Sequence, residues 1–262
     1  MFREVRFEVL GPVRGWHGGT ELDLGSPQQR AVLARLLLAR GRQVSLGGLI
    51  DGLWEGDVPR SAAGTVRTYV SRLRRQVTSI ESIGDGYLLR LGSAVLDLDE
   101  FEQRLAEARA ARDRHDAARG ARLLRDAVGL WRGAALAGIP GPYAGSRRVP
   151  LTELYLAATE EKLTADIELG EHAAAIAELR ALLVEHPFRE RLAELLMHAL
   201  YKSGRQAEAL YVFDSVRHRL SEELGIDPGP SLRTLHRRVL QADGRLMDTA
   251  GRLAEMRLVG VS

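Results

Sequence analysis

Apolar and polar residues alternate from Val5 to Leu10, Gly11-Pro12 interrupts them, Val13 to Trp16 is a second short run, and Gly18-Gly19 leads into a third, T-E-L-D-L. Period two puts alternate side chains on opposite faces of a strand, so this stretch predicts three short antiparallel strands. The period then changes. Ser26 is placed as an N-cap, Pro27 at the first helical position and Gln29 where it completes a capping box. The helix they open runs through Ala39, turns Val32, Leu33, Leu36 and Leu37 inward, and ends at Gly41. Ser45 opens a second helix, L-G-G-L-I-D-G-L-W, closed by Gly56 and Pro59.

The pattern is most pronounced from Arg60 to Val77. Val66, Val70, Leu73 and Val77 fall on one helical stripe, and Arg67, Ser71 and Arg74, flanked by Thr68, Arg72 and Arg75, fall on the others. Between Ser61 and Thr78 stand four Arg and no Asp or Glu, so nothing within the segment neutralises its charge. An ordinary surface helix also carries a solvated charged face, so neighbouring elements decide whether this one meets a polyanion. The next stretch of chain, S-I-E-S-I-G-D-G-Y-L-L-R-L, has two alternating runs around Gly84-Asp85-Gly86 and predicts a hairpin. Three helices, the last one basic, with a hairpin directly after them form a winged helix-turn-helix. A major groove admits one helix and presents a distinct donor and acceptor pattern for each base pair.

Candidate DNA contacts are Arg67, Thr68, Ser71, Arg72, Arg74 and Arg75, together with Gln28 and Gln29 at a helix start, Trp54 through its indole N–H, and Tyr87 in the hairpin. Each has a structural alternative. Trp54 fits core packing, Gln28 and Gln29 fit capping, and Tyr87 fits packing of the wing on the third helix. Arg90 fits a strand-end surface charge.

Ser93 to Asp97 reads as a short junction, and from Asp99 onward the pattern is helical. Helices are expected at Phe101 to Ala111 and Ala117 to Trp131. A Gly/Pro-rich stretch then runs to Pro150, either packed by Leu136, Ile139 and Tyr143 or a mobile connection. Further helices are expected at Leu151 to Leu169, Ala173 to Glu185, Arg189 to Lys202, Gln206 to Glu223 and Ser231 to Gln241. Gly170 and Gly204 lie 34 residues apart, the period of tetratricopeptide repeats, with Ala175 matching Ala209 and Leu179 matching Phe213. Pro187 ends the first repeat, whereas Ser221 stands at the second's equivalent place, so the match frays; a plain helical bundle is the alternative.

Composition narrows the functional classes. The 262 residues carry net charge +2, but residues 1 to 96 hold 13 Arg against 9 acids and the remainder holds 24 cations against 26. The basic excess thus coincides with the predicted winged helix. Lys162 and Lys202 are the only lysines, a bias that fits a GC-rich coding genome and carries no functional weight. Zero Cys excludes disulfides and thiolate metal sites. No run approaches the roughly 18 apolar residues of a membrane span, and the N-terminus has no long apolar core, so a soluble, cytoplasmic protein is expected. There is no G-x-x-x-x-G-K-[ST], H-E-x-x-H or G-x-S-x-G, and the seven His are dispersed, so neither an enzyme nor a cofactor is expected.

The winged-helix order, with a small sheet before it, resembles the DNA-binding domain of OmpR/PhoB-type response regulators. L-W-R-G (Leu130 to Gly133), E-H-P-F-R-E-R-L-A-E-L-L-M-H-A-L-Y-K-S-G-R-Q-A-E-A-L (Glu185 to Leu210) and E-E-L-G-I-D-P-G-P-S-L-R-T-L (Glu222 to Leu235) closely resemble the bacterial transcriptional activator domain. Joined to G-S-P-Q-Q-R-A-V-L and T-Y-V-S-R-L-R-R, they make the chain similar to the Streptomyces antibiotic regulatory protein (SARP) family, over about residues 3 to 241. Gly47-Gly48 and Gly64 depart from the pattern and are expected to soften their helices.

The expected architecture is an α+β OmpR/PhoB-type winged helix-turn-helix at 1–96, an all-α tetratricopeptide-like domain at 97–242, and a tail at 243–262. The resemblance implies an activator of a secondary-metabolite gene cluster that binds direct repeats in promoter DNA and recruits RNA polymerase holoenzyme, including its sigma factor. It further implies self-association on DNA and residence at the nucleoid when bound. In relatives of this winged helix the loop between the second and third helices faces the polymerase. Here that loop carries Glu55 and Asp57, which suit a basic sigma surface or are solvated turn acids. Larger relatives carry an ATPase module, and nucleotide-driven control within this chain is not expected. A promoter-blocking repressor and a helical-repeat adaptor are the other readings.

Overall fold

In the computed structural model, residues 5–246 are described. They divide into two compact units, one of residues up to 114 with 122–158, the other of residues 115–121 with 159 onward.

The first unit opens with β1 (Val5–Glu8), β2 (Arg14–His17) and β3 (Thr20–Glu21), antiparallel neighbours as their alternation predicts. A strand the pattern did not show, β7 (Val95–Leu96), pairs parallel with β1 and completes the order β3-β2-β1-β7. Ser93 to Asp97 is therefore not a plain junction. Asp97 is 1% exposed, and its carboxylate accepts the backbone N–H of Val9 at 2.9 Å and of Leu10 at 3.0 Å.

Helix α1 (Pro27–Leu38) starts with the expected N-cap and N1 proline, Ser26 Oγ accepting the Gln29 N–H at 3.3 Å, but among the described residues the Gln29 side chain makes no return bond to Ser26, so the capping box is not completed. β4 (Val44–Ser45) leads into α2 (Leu46–Leu53), where Ser45 Oγ accepts the Gly48 N–H. Despite its glycines α2 is a regular helix; a Cβ on Gly52 would lie 3.3 Å from Arg35, so the small residue makes room for α1. Helix α3 (Ala62–Leu73) is shorter than its apolar stripe: Val77 sits in the closing turn, buried to 3%. The wing is β5 (Ile80–Ile83) and β6 (Gly86–Leu89), joined by Gly84-Asp85, and β4 adds a third strand in the order β4-β6-β5. Gly86 is required there, because a Cβ on it would stand 2.2 Å from the Val44 carbonyl oxygen.

Helix α4 (Asp97–Asp113) comes directly after β7, and α5 (Ala117–Val128) precedes the L-W-R-G stretch. Trp131 packs edge-on to Phe101 at 5.5 Å and against Tyr155 at 5.0 Å. Arg132 pairs with the buried Glu8. The Gly/Pro-rich stretch is packed: Leu136 and Ile139 are 0% and 4% exposed, and the N–H groups of Arg132, Leu136 and Ala137 donate to the carbonyls of Leu10, Val9 and Gly11. It is also shorter than the sequence suggested. Helix α6 (Pro142–Glu168) begins at Pro142 and runs through Pro150, whose missing N–H leaves a carbonyl on the exposed side of the helix, where water can satisfy it.

The second unit holds α7 (His172–Glu185), α8 (Glu190–Lys202), α9 (Gln206–Leu224) and α10 (Pro230–Leu240), all within about two residues of their expected bounds. Gly170 and Gly204 make equivalent turns, at φ +91° and +75°. Ala175, Leu179, Ala209 and Phe213 are buried, as repeat packing requires. Phe213 stacks on His236 of α10 at 3.8 Å, and Glu190 accepts the Gly229 N–H ahead of α10. The end of α6 with α8 and α10 lines an open cleft of about 430 Å³. Of the tail, Asp243, which pairs with Arg238, and a 3-10 turn at Gly244–Leu246 are described; residues 247–262 lie outside the described residues.

Candidate nucleic-acid interface

Helix α3 anchors the interface. Ala62, Val66, Val70 and Leu73 are each at most 2% exposed. Burying about three such aliphatic side chains contributes several kcal/mol at roughly 1.5 to 3 kcal/mol each, more than any surface contact on the opposite face. The helix is thus held chiefly by its apolar stripe, which leaves most of its outer face without packing contacts. On that face Arg67, Thr68, Ser71 and Arg72 are exposed. Arg67, Ser71 and Arg72 have no side-chain partner among the described residues, while the Thr68 hydroxyl donates to the Gly64 carbonyl at 2.9 Å. Arg75 lies beyond the end of α3, in the closing turn, and is exposed.

Arg74 is engaged elsewhere. Its Nε donates to the Ile80 carbonyl at 3.0 Å and its Nη2 to Ser82 Oγ at 2.7 Å, and the guanidinium lies 5.6 Å from the centre of the Tyr87 ring. Arg74 and Tyr87, two of the expected contacts, are brought together as the joint between α3 and the wing. The reading that groups Arg74 with Arg67 and Ser71 on the groove-facing stripe needs correction, because three hydrogen-bonding and ring contacts turn its head to the hairpin.

The two glutamines part company. Gln29 is 4% exposed and folds under Gly25, whose Cβ would come within 2.6 Å of its Nε2; burial removes it from the candidate contacts. Gln28, one residue earlier, is half-buried and accepts the Tyr69 hydroxyl proton at 2.7 Å. Tyr69 was not singled out in the sequence. Its signal was its place between the apolar stripe and the arginines, where an amphipathic aromatic buries its ring and keeps its hydroxyl on a polar partner. Gln43 was also missed; its Nε2 donates to the Ile83 carbonyl and reinforces the wing tip. Arg90 pairs with Glu81 at 2.8 Å across the wing.

Trp54 is half-buried at the end of α2, and Glu55 and Asp57 are exposed in the turn before α3, around Gly56. The same C-terminal end of α2 is backed by Tyr143, whose Cβ lies 3.2 Å from where a Cβ on Gly52 would stand and whose ring lies 4.2 Å from the Arg35 guanidinium. Among the described residues no cluster of His, Asp and Glu is arranged to hold a metal ion, and no helix is long and apolar enough to cross a membrane.

Comparison with known proteins places these features in a wider set. The bacterial transcriptional activator domain matches residues 96–240, and the C-terminal domain of transcriptional regulatory proteins matches residues 19–88. The chain is 50% identical over 245 residues to the regulatory protein AfsR of Streptomyces griseus, covering 92% of this chain and 25% of that one, so it spans about a quarter of that relative's length. It is 32% identical over 253 residues to the regulatory protein DnrI of Streptomyces peucetius, covering 91% of this chain and 93% of that one. The solved structure of Mycobacterium tuberculosis EmbR in complex with a low affinity phosphopeptide superposes with a TM-score of 0.86 at 33% identity, over 97% of this chain and 71% of that one.

Proposed function

The chain belongs to the Streptomyces antibiotic regulatory protein family of DNA-binding transcriptional regulators, and from that premise we propose that it activates a secondary-metabolite biosynthetic gene cluster. It does so by placing α3 in the major groove of promoter DNA and recruiting RNA polymerase holoenzyme. The observation that carries the reading is the outer face of α3. Among the described residues Arg67, Ser71 and Arg72 stand exposed and unpaired, in a segment without a single acid, on a helix anchored chiefly by its buried stripe. Unpaired guanidinium groups are suited to guanine edges and phosphates, and among the described residues no hydrogen bond or ion pair competes for them.

Binding is to direct repeats, which seat protomers head to tail on one face of the duplex, about one helical turn or roughly 10 bp apart. The exposed Glu55 and Asp57 then meet a basic sigma-factor surface. Footprinting on the upstream regions of the neighbouring genes, repeated across salt, tests the reading. Protection of repeats at one-turn spacing beside a promoter is expected, with a log-log salt slope of several units. A slope near zero would sink DNA binding as the chain's task, and protection lying over the promoter's own polymerase contacts would make it a repressor.

A further inference from the structure

Tyr69 sits where the buried stripe of α3 gives way to its arginines. Val66, Val70 and Leu73 are buried, Arg72 one turn on is exposed, and Tyr69 is half-buried between them. Its hydroxyl reaches across 41 residues of sequence to donate to Gln28 Oε1 at 2.7 Å. The other end of that amide, the two N–H groups of Nε2, has no partner among the described residues. Gln28 belongs to the first turn of α1, and Ser26 Oγ already takes the next backbone N–H.

We infer that Tyr69 is a positioning residue for DNA binding: its hydroxyl holds the Gln28 amide so that Nε2 donates to a phosphate oxygen on the Arg72 side of the recognition helix. The inference rests on the DNA-facing role proposed for α3. The chemistry is complementary, since an amide NH₂ only donates and a phosphate oxygen only accepts. A free glutamine has three rotatable bonds to fix when it binds; one already held by its oxygen has less freedom to lose, so its contact is stronger for the same geometry. The bond also couples the two helices that flank the groove edge. A shift of α1 relative to α3 would withdraw the amide, so the contact reports that the domain is correctly packed.

The test is a double-mutant cycle on the duplex fragment protected in the footprint, with the thermal unfolding midpoint followed in parallel. Tyr69→Phe keeps the ring and removes the hydroxyl. It is expected to weaken binding by about threefold to tenfold, while the unfolding midpoint falls by only a few degrees, because water can replace the hydroxyl on the half-buried Gln28. In the Gln28→Ala background the same substitution is expected to change affinity by less than about twofold, because the group it positions is gone. Gln28→Glu can still accept the Tyr69 proton but presents a charge to the phosphate. It is expected to bind more weakly than Gln28→Ala, most clearly at low salt. The inference is overturned by a Tyr69→Phe protein that binds as the unmodified one does, by equal losses in the two backgrounds, or by a Gln28→Glu protein with unmodified affinity. An unmodified chain without salt-dependent duplex binding would overturn the DNA reading itself, and that measurement comes first.

Discussion

Arg67 and Arg74 stand seven residues apart on one helical face, yet among the described residues one has no side-chain partner and the other is held by Ile80, Ser82 and Tyr87. Periodicity placed both on the same stripe; what separates them is the hairpin folding back beside Arg74, which no local pattern encodes. The same holds for Gln28 and Gln29, identical side chains about 100° apart on α1, one facing Tyr69 and the other sealed under Gly25. The free and held arginines should therefore fail differently. Arg67→Ala or Arg72→Ala is expected to cost about 1 to 3 kcal/mol of operator affinity where the group reads a base, or to lower the salt slope by about one where it meets a phosphate, with folding unaffected. Arg74→Ala is expected to lower the unfolding midpoint as well, and Arg74→Lys not to restore it, because an ammonium lacks the fork that spans Ile80 and Ser82; paired titrations and melts separate the two behaviours. Asp97 gives a pH signature. Burial pushes its carboxyl up to about 6, against the lowering pull of the Leu10 and Val9 N–H groups and with a raising contribution from Glu8. The folded value lies above the ordinary one near 3.8, so this stabilisation is complete below about pH 4 and is lost as pH rises through 6. Denaturant titrations from pH 4 to 7 should show a fall on the order of 2 to 3 kcal/mol that Asp97→Asn flattens.

Among elements, the long and strongly patterned ones were legible: α1, α3, the wing and the repeat helices stand close to where spacing put them. Strands β4 and β7 were not, since each is a pair of residues directly before a helix and is defined by the strand it joins; β3, equally short, was legible because it opens the longer alternating run T-E-L-D-L. The start of α6 was hidden for the opposite reason, a strong local signal overridden: Pro150 reads as a stop, yet the helix runs from Pro142 through it on an exposed side. Packing by Leu136 and Ile139 was one of two readings the residues allowed, and the carbonyls of residues 9 to 11 decide it. β4 makes a specific demand on the wing. Gly86→Ala must push the Val44 carbonyl away from a 2.2 Å approach, so it is expected to destabilise the first unit by about 1 to 3 kcal/mol. Hydrogen exchange should show the loss as faster exchange across β4 and β6. In the turn before α3, Glu55→Ala with Asp57→Ala is expected to cut activated transcription while leaving operator affinity intact; an undiminished transcript would remove that turn from the activating surface.

At the scale of the whole molecule, the sequence motifs and the packing draw different lines. The activator-domain match begins at residue 96, where composition also changes, whereas the compact first unit continues to residue 158 apart from residues 115–121. The discrepancy has a physical source in the Asp97 grip on Val9 and Leu10 and in the backbone bonds from residues 132–137 to residues 9–11. A fragment ending at 96 is thus expected to lack a fixed core, visible as weak near-ultraviolet dichroism and bound hydrophobic dye, while one ending at 158 should melt cooperatively. The joint at Arg74 has a consequence of its own for the DNA. On the proposed DNA-bound reading, the helix and wing, clasped by one guanidinium, would form a caliper of fixed opening, and the duplex would have to adjust to it. Operators with the same contacted bases but different spacer stiffness or minor-groove width would then be ranked by their cost of deformation, so the intervening base pairs, touched by no side chain, become part of the recognition sequence.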